Sequence, residues 1–445
     1  MAEIRPFRAL YYNPARIQEL EKVVTQPYDK ISPEMQSRYY DSSSFNLVRL
    51  IRGRPHADDN PQDNAYLRAA QHFRQWIEDG ILISPAEPAI YPYNQEFEVP
   101  GRPGSKKVRR GFIALCRLED YSAGIVHPHE ETLAAPKTDR LQLLKATRAH
   151  FGQIFVLYSD PAGLVESLLA EHARDRAWEQ VIDEYGTLHS VWRVARPRAI
   201  ERVVAAMADR KLIIADGHHR YETALAYRDY CRSRQIPDHR AEYVMMTFVR
   251  LEADGLTILP THRLVHSLPA FDWVEFLSQS QSIFEAEVFP AEGNRHGWAN
   301  DFLESLARAG RAGPAFGAYA GPGKLALLRL RNDFKLGAVL DDLPPTLRRL
   351  DVILLHRLVL EQILGIGRQA VREEKNLTYH REFSAAARAV DEGRAQLCLA
   401  LNPTPIEAVR DNALLGLTLP QKSTDFYPKL LSGLAIYWLD NPRGL

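Results

Sequence analysis

Cysteine is scarce in this chain of 445 residues, and long apolar runs are missing from it. Cys116, Cys231 and Cys398 lie far apart, so the sequence indicates neither a disulfide framework nor a metal site of paired cysteines. No stretch reaches the roughly 18 apolar residues typical of a membrane span. The first residues lack a basic segment followed by an apolar one, so no signal peptide is expected. We therefore predict a cytoplasmic protein that does not contact membranes.

Charge of one sign is not in excess either, since Lys and Arg total 56 and Asp and Glu also total 56. Proteins that bind nucleic acid usually carry a basic face, so the balance argues against binding by charge alone. The chain also lacks a P-loop, a Rossmann glycine fingerprint, a protein-kinase signature and a GxSxG turn. If this protein handles nucleotides, it does so with a less common fold.

The pattern that is present alternates helical and extended segments, which predicts a mixed α/β or α+β fold. The main predicted elements are a helix over 60–80, a hairpin of strands 88–99 and 108–118, a second hairpin of strands 242–251 and 256–265, and a helix over 346–365.

Two further features of the pattern concern organisation and charge. The sequence pattern changes near residue 266, so we predict an N-terminal region over 1–265 and a C-terminal α/β region over 266–445. The basic run at the first hairpin, which includes Arg109 and Arg110, is interpreted as a solvated tip.

The most informative motif joins an apolar strand to a helix through Asp216 and Gly217. Glycine permits a tight turn, and the first amides of the helix suit an anion. His218, His219 and Arg220 follow in the same turn, and Arg is the best side chain for bidentate contact with phosphate. Asp216 is a hard oxygen ligand that suits Mg²⁺. The alternative is a helix-capping Asp with two surface histidines.

A second cluster contains His127, His129 and Glu130, followed by Arg140. The two histidines alternate, so an extended segment places both on one side. Zinc is one interpretation, although a third ligand at a recognisable spacing is missing. A general base with groups that orient a small polar substrate is another. The third is a polar loop whose charges pair with one another.

Three shorter loops carry further candidates. Asp29, after Tyr28 in a turn-rich opening loop, is either catalytic or a cap for the turn. Arg263 lies at a strand end and could reach an anion. Lys422 and Lys429 delimit a loop whose composition suits phosphate or carboxylate capture, or else a buried packing loop.

In their order, these motifs resemble one bacterial and archaeal family, catalogued as domain of unknown function 1015, along nearly the whole chain. The name of that family carries no established activity. The matching stretches are Gln26-Pro-Tyr-Asp29, Phe45-Asn-Leu-Val-Arg49, His129-Glu130, Asp139-Arg140, Ala215-Asp-Gly-His-His-Arg-Tyr221, Pro260-Thr-His-Arg263, Leu401-Asn-Pro403 and Lys422-Ser-Thr424 with Phe426-Tyr-Pro-Lys429.

The Asp-Gly-His-His-Arg segment also resembles the ParB-like and sulfiredoxin-like fold, whose members set a basic, glycine-containing turn against nucleotide phosphates. Activities in that group are CTP binding and hydrolysis, ATP-dependent sulfinic acid reduction, and phosphorylation of free serine. The serine kinases are similar in this motif, with the acid near the metal and the basic residues near the phosphates. Sulfiredoxin needs a cysteine beside its turn, where this chain has His218 and His219. The resemblance implies a ParB-like nucleotide-binding core, elaborated by hairpins and a C-terminal α/β portion.

Together, motifs and resemblance predict a phosphotransferase that uses ATP or ADP with Mg²⁺ and acts on a small hydroxylated metabolite, free L-serine above all. The predicted catalytic residues are Asp216, Glu130, Asp29 and His218, with Asp216 as metal ligand. The predicted nucleotide-binding residues are Gly217, His218, His219, Arg220, Arg263, Lys422 and Lys429. The predicted substrate-binding residues are Tyr28, His127, His129 and Arg140. The alternatives are a nucleotide-binding regulatory module and a metal-dependent hydrolase that uses the histidines.

Overall fold

Buried apolar runs form most of the strands, and amphipathic segments form most of the helices. The computed structural model describes residues 2–131, 135–174, 176–236, 238–291 and 295–442, with the side chains of 135, 136, 295 and 296 left aside. The fold is mixed α/β, as predicted. Across the residues that the structure describes, no helix combines the length and apolarity needed to cross a bilayer.

Contacts divide the chain into two units. Unit 1 comprises Met1–Pro128, Thr132–Thr257 and Pro428–Leu445, and unit 2 comprises His129–Glu131 and Ile258–Tyr427. The division after residue 265 stays a prediction. A single boundary along the chain cannot describe these units, because residues 428–445 follow unit 2 in sequence but belong to unit 1.

The strands vary from two to twelve residues in length. They are β1 (Ile4–Arg5), β2 (Tyr11–Tyr12), β3 (Leu82–Ile83), β4 (Tyr91–Glu98), β5 (Lys106–Arg117), β6 (Val126–His127), β7 (Ala149–His150), β8 (Ile154–Tyr158), β9 (Glu179–Ile182), β10 (Leu188–Val191), β11 (Leu212–Asp216), β12 (Tyr243–Arg250), β13 (Thr257–Leu259), β14 (His262–Val265), β15 (Phe284–Phe289), β16 (Ala315–Tyr319), β17 (Leu325–Leu330), β18 (Leu377–His380), β19 (Leu397–Leu401), β20 (Asp425–Tyr427) and β21 (Tyr437–Trp438).

The α-helices are mostly short, and a π-helix over Leu355–Ile363 continues one of them. They are α1 (Pro33–Ser42), α2 (Val48–Ile51), α3 (Ala65–Glu78), α4 (Ala135–Thr147), α5 (Leu164–Ala170), α6 (Pro197–Met207), α7 (His218–Ser233), α8 (Trp273–Ser280), α9 (Arg295–Ala312), α10 (Leu336–Val339), α11 (Asp351–Leu354), α12 (Arg368–Arg372), α13 (Phe383–Asp391) and α14 (Ile406–Leu414).

Unit 1 is built on a mixed sheet in the order β6-β11-β8-β12-β5-β4-β10-β9, with β1 paired to β5. The predicted first hairpin is confirmed as the antiparallel pair β4 and β5. β11 lies parallel to β6 on one side and antiparallel to β8 on the other. Its apolar residues are almost fully buried, which fits a strand covered on both faces.

Unit 2 is built on a second sheet in the order β15-β17-β16-β19-β14-β18. β14 is antiparallel to both β18 and β19. The predicted second hairpin is therefore wrong, because the segment after Asp254-Gly255 makes β13 and β14 and leaves the sheet that contains β12. A turn signal predicts a reversal of the chain, but it does not determine the strand partner.

The predicted helix over 346–365 begins later than expected. Residues 344–350 form consecutive tight turns, in which Leu347 and Leu350 each bond back three residues. α11 follows, and the chain then widens into the π-helix. The helical segment ends before Gly365, whose φ of 67° lies in the left-handed region.

Candidate functional site

The turn between β11 and α7 depends on a single glycine. Gly217 has a φ of 93°, which favours glycine because other residues are strained there. A Cβ at this position would also lie 3.0 Å from Cζ and Nε of Arg220. Because Gly217 has no side chain, it cannot cap the first backbone amides of α7, which form the positive end of the helix dipole.

The carboxylate of Asp216 lies between two cations at this turn. Its Oδ1 accepts a hydrogen bond from Nη2 of Arg220 at 3.2 Å, and its Oδ2 accepts one from Nζ of Lys429 at 2.9 Å. Burial opposes ionisation, but Lys429, Arg220 and Lys30 outweigh it and hold the pKa of Asp216 far below its usual range. Asp216 is therefore ionised at neutral pH.

The guanidinium of Arg220 is fixed on its other side by the backbone. Its Nη1 donates a hydrogen bond to the carbonyl oxygen of Gln153, which directly precedes β8. Gly152 lies so close that a Cβ there would be 3.4 Å from the same nitrogen. Arg220 is thus held between Asp216 and Gln153, which lowers the entropic cost of orienting it toward a ligand.

Lys429 is positioned through its own backbone and that of Pro428. Nε2 of Gln95 on β4 donates to the carbonyl oxygen of Lys429 at 2.8 Å, and Arg109 on β5 donates to that of Pro428. Arg109 is only 1% exposed, and burial lowers its pKa to about 10. The interpretation of the basic run as a solvated tip is wrong for Arg109, which supports the segment that carries Lys429.

Positive charge exceeds negative charge around Asp216. Arg220, Lys429 and Lys30 each favour its ionised form, and Asp216 in turn favours the charged form of Arg109. A divalent cation at Asp216 would have to displace cationic groups from both oxygens, so this arrangement does not fit the predicted magnesium ligand. An oxyanion beside the same groups would instead find an excess of positive charge.

A small cavity of about 70 Å³ extends from Arg220 into unit 1. Its polar lining includes Tyr28, Arg140, Thr223 and Ser432. The guanidinium carbon of Arg140 lies 4.3 Å from the ring centroid of Tyr28, and its Nη1 donates to the carbonyl oxygen of Ile51 at 2.6 Å. The volume is far below the roughly 300 Å³ of a cleft for a drug-sized ligand. The cavity can therefore take a phosphoryl-sized group but not a whole nucleotide.

The remaining predicted residues of unit 1 lie at or beside this turn. Asp29 is exposed and follows Tyr28 in a single helical turn over Tyr28–Lys30. His218 is buried and His219 half-buried at the start of α7. His127 lies on β6, where it pairs with Ile213 of β11, and its Nε2 is 3.1 Å from the carbonyl oxygen of Gly124.

The other predicted residues form a cluster of their own in unit 2. Nε2 of His129 lies 2.8 Å from Oγ1 of Thr424, and Oε1 of Glu130 accepts from the backbone nitrogen of Lys422 at 2.9 Å. Nη2 of Arg263 donates to the carbonyl oxygen of Lys422 at 3.0 Å. Three sequence motifs therefore meet in this cluster.

Metal ligands do not gather in the part of the chain that the structure describes. No group there contains three or more His, Cys, Asp or Glu side chains placed to hold an ion. The alternative of a metal-dependent hydrolase built on the histidines requires such a group.

Sequence reasoning missed several residues that hold the turn in unit 1. Lys30 directly follows the Gln26–Asp29 stretch but was not among the predicted site residues. Arg109 was hidden in a basic run, because Lys106, Lys107 and Arg110 around it carry the same charge, and in such a run strand alternation does not indicate which face is buried. Gln153 contributes its backbone carbonyl to Arg220, and a carbonyl leaves no signal in side-chain identity.

Comparison with known proteins links the chain to a family. A family model described as a protein of unknown function, DUF1015, matches residues 4–353. No curated protein matches the chain by sequence.

Solved structures give distant matches. A conserved hypothetical protein from Pyrococcus furiosus matches with 9% identity and a TM-score of 0.37, covering 74% of this chain and 96% of its own. A free serine kinase in complex with AMP matches with 11% identity and a TM-score of 0.36, covering 72% and 92%. SbnI with a C-terminal truncation, from Staphylococcus aureus, matches with 9% identity and a TM-score of 0.35, covering 74% and 89%.

Proposed function

The chain belongs to the DUF1015 family, and we propose that it is a phosphotransferase that binds the phosphate groups of ATP or ADP at the Asp216–Arg220 turn. One observation carries this proposal. Arg220 and Lys429 flank Asp216 at the start of α7, where Lys30 adds further positive charge. Helix starts and arginine forks are the usual protein groups for phosphate oxygens.

The fixed geometry of the turn suits phosphoryl transfer. Such reactions depend mainly on positioning and on neutralising the charge of the transferred group. Arg220 is held by Gln153 and Asp216, and Lys429 by Asp216 and Gln95, so both cations are oriented before a ligand arrives. In this proposal Asp216 orients the two cations and does not hold a metal.

The acceptor we propose is a small hydroxylated metabolite, with free L-serine as the first to test. Its hydroxyl oxygen forms a bond to the transferred phosphorus, and the bond from that phosphorus to the bridging oxygen of the nucleotide breaks. The electron pair of the broken bond leaves with the nucleotide. The hydroxyl proton passes to a carboxylate, for which Asp29, in unit 1 with the turn, is the candidate. Tyr28, His127 and Arg140, also in unit 1, are the side chains predicted to orient the acceptor.

Binding is tested first, by isothermal titration of the purified chain with ATP, ADP and CTP, each with and without Mg²⁺. We expect saturable binding of at least one nucleotide. Arg220→Gln should weaken it by about tenfold or more, because hydrogen bonds to charged groups contribute about 1.5–3 kcal/mol. Arg232→Gln removes an exposed arginine from the far end of α7 and is the matched control. Absence of binding by all three nucleotides contradicts the proposal.

Transfer is tested by incubating the chain with the bound nucleotide and L-serine and following phosphoserine by ³¹P NMR. We expect phosphoserine to form, and Asp29→Asn to abolish transfer without abolishing nucleotide binding. Binding without transfer to serine or to other hydroxylated metabolites would instead favour a nucleotide-binding regulatory module.

A further inference from the structure

A second cavity lies in unit 2, at the end of the sheet where β14 and β16 begin and β19 ends. Leu401, the last residue of β19, pairs with Phe316 near the start of β16. Leu399 pairs with Arg263, the second residue of β14. The segments beyond these ends enclose a cavity of about 330 Å³, which is within the size range of small-molecule sites.

The inner wall of this cavity contains a buried charge. Arg263 is only 1% exposed, and its guanidinium donates to the carbonyl oxygens of Thr261 and Lys422. Its Nε has no hydrogen-bond partner among the described residues. Burial lowers the pKa of Arg263 to about 10, so it remains charged at neutral pH, and Tyr379, whose ring centroid lies 5.4 Å from its guanidinium carbon, and Glu130 favour that charge. A buried cation without a close counter-charge is costly.

Two more arginines line the cavity nearer to solvent. Arg311 at the end of α9 and Arg349 before α11 are both exposed, and neither forms an ion pair with any residue that the structure describes. Three arginines therefore line one cavity.

Neutral polar groups complete the lining. Nδ2 of Asn402 lies 3.5 Å from Oδ2 of Asp351, and the hydroxyl of Thr404 donates to the carbonyl oxygen of Ser423 at 2.7 Å. A Cβ at Gly310 would lie 2.4 Å from Nδ2 of Asn402, so glycine is required for α9 to approach this closely. Burial raises the pKa of Asp351 to about 7, so near neutral pH it cancels less than one of the three positive charges.

We propose that this cavity binds a small organic oxyanion, a metabolite with a carboxylate or phosphate group. Arg263 supplies the buried counter-charge, and Arg311 and Arg349 contact the anion at the mouth. Thr404 and Asn402 offer hydrogen bonds to its neutral part. The inference gives Arg263 a ligand other than the nucleotide, and it does not depend on the proposed phosphotransfer in unit 1.

The test is isothermal titration of the full chain with inorganic phosphate and with succinate, at constant ionic strength set by NaCl. We expect saturable binding of at least one of them, and the stronger of the two identifies the anionic group that the cavity prefers. Arg311→Gln and Arg349→Gln should each weaken binding by about tenfold, the effect of losing a hydrogen bond to a charged group.

Two controls separate this site from other causes of binding. Arg308→Gln removes an exposed arginine that lies one turn earlier on α9 and does not line the cavity, so it should leave the affinity unchanged. The titrations are repeated in the Arg220→Gln background, which weakens any phosphate binding at the turn in unit 1, so that the remaining binding reports the cavity in unit 2. The proposal is overturned if neither anion binds, if Arg311→Gln and Arg349→Gln have no effect, or if Arg308→Gln weakens binding equally.

Discussion

Asp216 and Asp351 are both half-buried, yet their pKa values shift in opposite directions. At Asp216, Lys429 and Arg220 outweigh the effect of burial and lower the pKa. At Asp351, burial prevails, and the hydrogen bonds from Asn402 and from the backbone of Ala315 offset only part of it. The sign of each shift therefore follows from whether a cation stands beside the carboxylate.

Asp351 should make the stability of the fold depend on pH. Its pKa is about 7 in the folded chain and about 3.9 in an unfolded one. The protonated form stabilises the folded state fully below about pH 4, and this contribution is lost as the pH rises to 7. Asp351→Asn should match the wild type at pH 4 and exceed it at pH 8 by about 2–4 kcal/mol, measured by urea unfolding. Equal stability at pH 8 would contradict the assigned shift.

Asp216→Asn separates the two roles considered for this carboxylate. If Asp216 orients Arg220 and Lys429, the variant loses about 2–3 kcal/mol of stability at neutral pH, because two cations lose their counter-charge. Nucleotide affinity without Mg²⁺ should fall, because Arg220 and Lys429 are no longer held in position by Asp216. Titration calorimetry and urea unfolding measure both effects. Selective loss of Mg²⁺-dependent binding, with unchanged stability, would instead support a metal ligand.

At the scale of elements, the turn from β11 to α7 combines a strained backbone angle with a close side-chain contact. Gly217→Ala should cost more than about 1 kcal/mol, because alanine is unfavourable at positive φ and its Cβ would displace Arg220. Gly186 has a φ of 78° with open space around it, so Gly186→Ala suffers the backbone strain alone. We expect both variants to lower the melting temperature, but only Gly217→Ala to weaken phosphate binding. Equal effects on binding would contradict the role of Arg220.

Elements whose partners lie nearby in sequence were predictable. The β4–β5 hairpin and α3 follow from alternation and helical periodicity, and Asn64 caps α3 by accepting from the backbone of Tyr66 and Leu67. β14 was mispaired because its partners β18 and β19 lie more than a hundred residues further along the chain. Local patterns indicate which face of a strand is buried, but they do not indicate the strand with which it pairs.

The candidate site follows the same rule. The Asp216–Arg220 turn could be recognised because strand, glycine and basic helix start are contiguous. The pairing of Lys429 with Asp216 spans 213 residues, so no local pattern indicates it. Arg109 was assigned to solvent because charged residues are rarely buried, and its acceptor is a backbone carbonyl of Pro428.

At the scale of the whole chain, residues 428–445 belong to unit 1, although they follow residues 258–427, which make up unit 2 together with residues 129–131. Leu431, Leu434, Ile436, Tyr437 and Leu439 are almost fully buried. At roughly 1.5–3 kcal/mol for each side chain, their burial is comparable with the total stability of a typical domain, about 5–15 kcal/mol. The segment is therefore an integral part of the core of unit 1.

A chain that stops after Tyr427 should consequently lose the fold of unit 1. We expect limited proteolysis with mass spectrometry to show rapid cleavage within residues 1–257. A chain that stops after Pro442 keeps these buried side chains and is the control. If the shorter chain resists protease in this region as well as the control does, the segment is dispensable.

The return of residues 428–445 also has a consequence during synthesis. Ribosomes add about 5–20 residues per second, so roughly ten to thirty seconds separate translation of Thr257 from that of Pro428. During this interval unit 1 still lacks the buried side chains of Leu434 and Ile436 and the carbonyl oxygen of Pro428 that accepts from Arg109. Chaperones that shield apolar surface would have their main opportunity in this interval, and Asp216 gains its ion pair with Lys429 only after it ends.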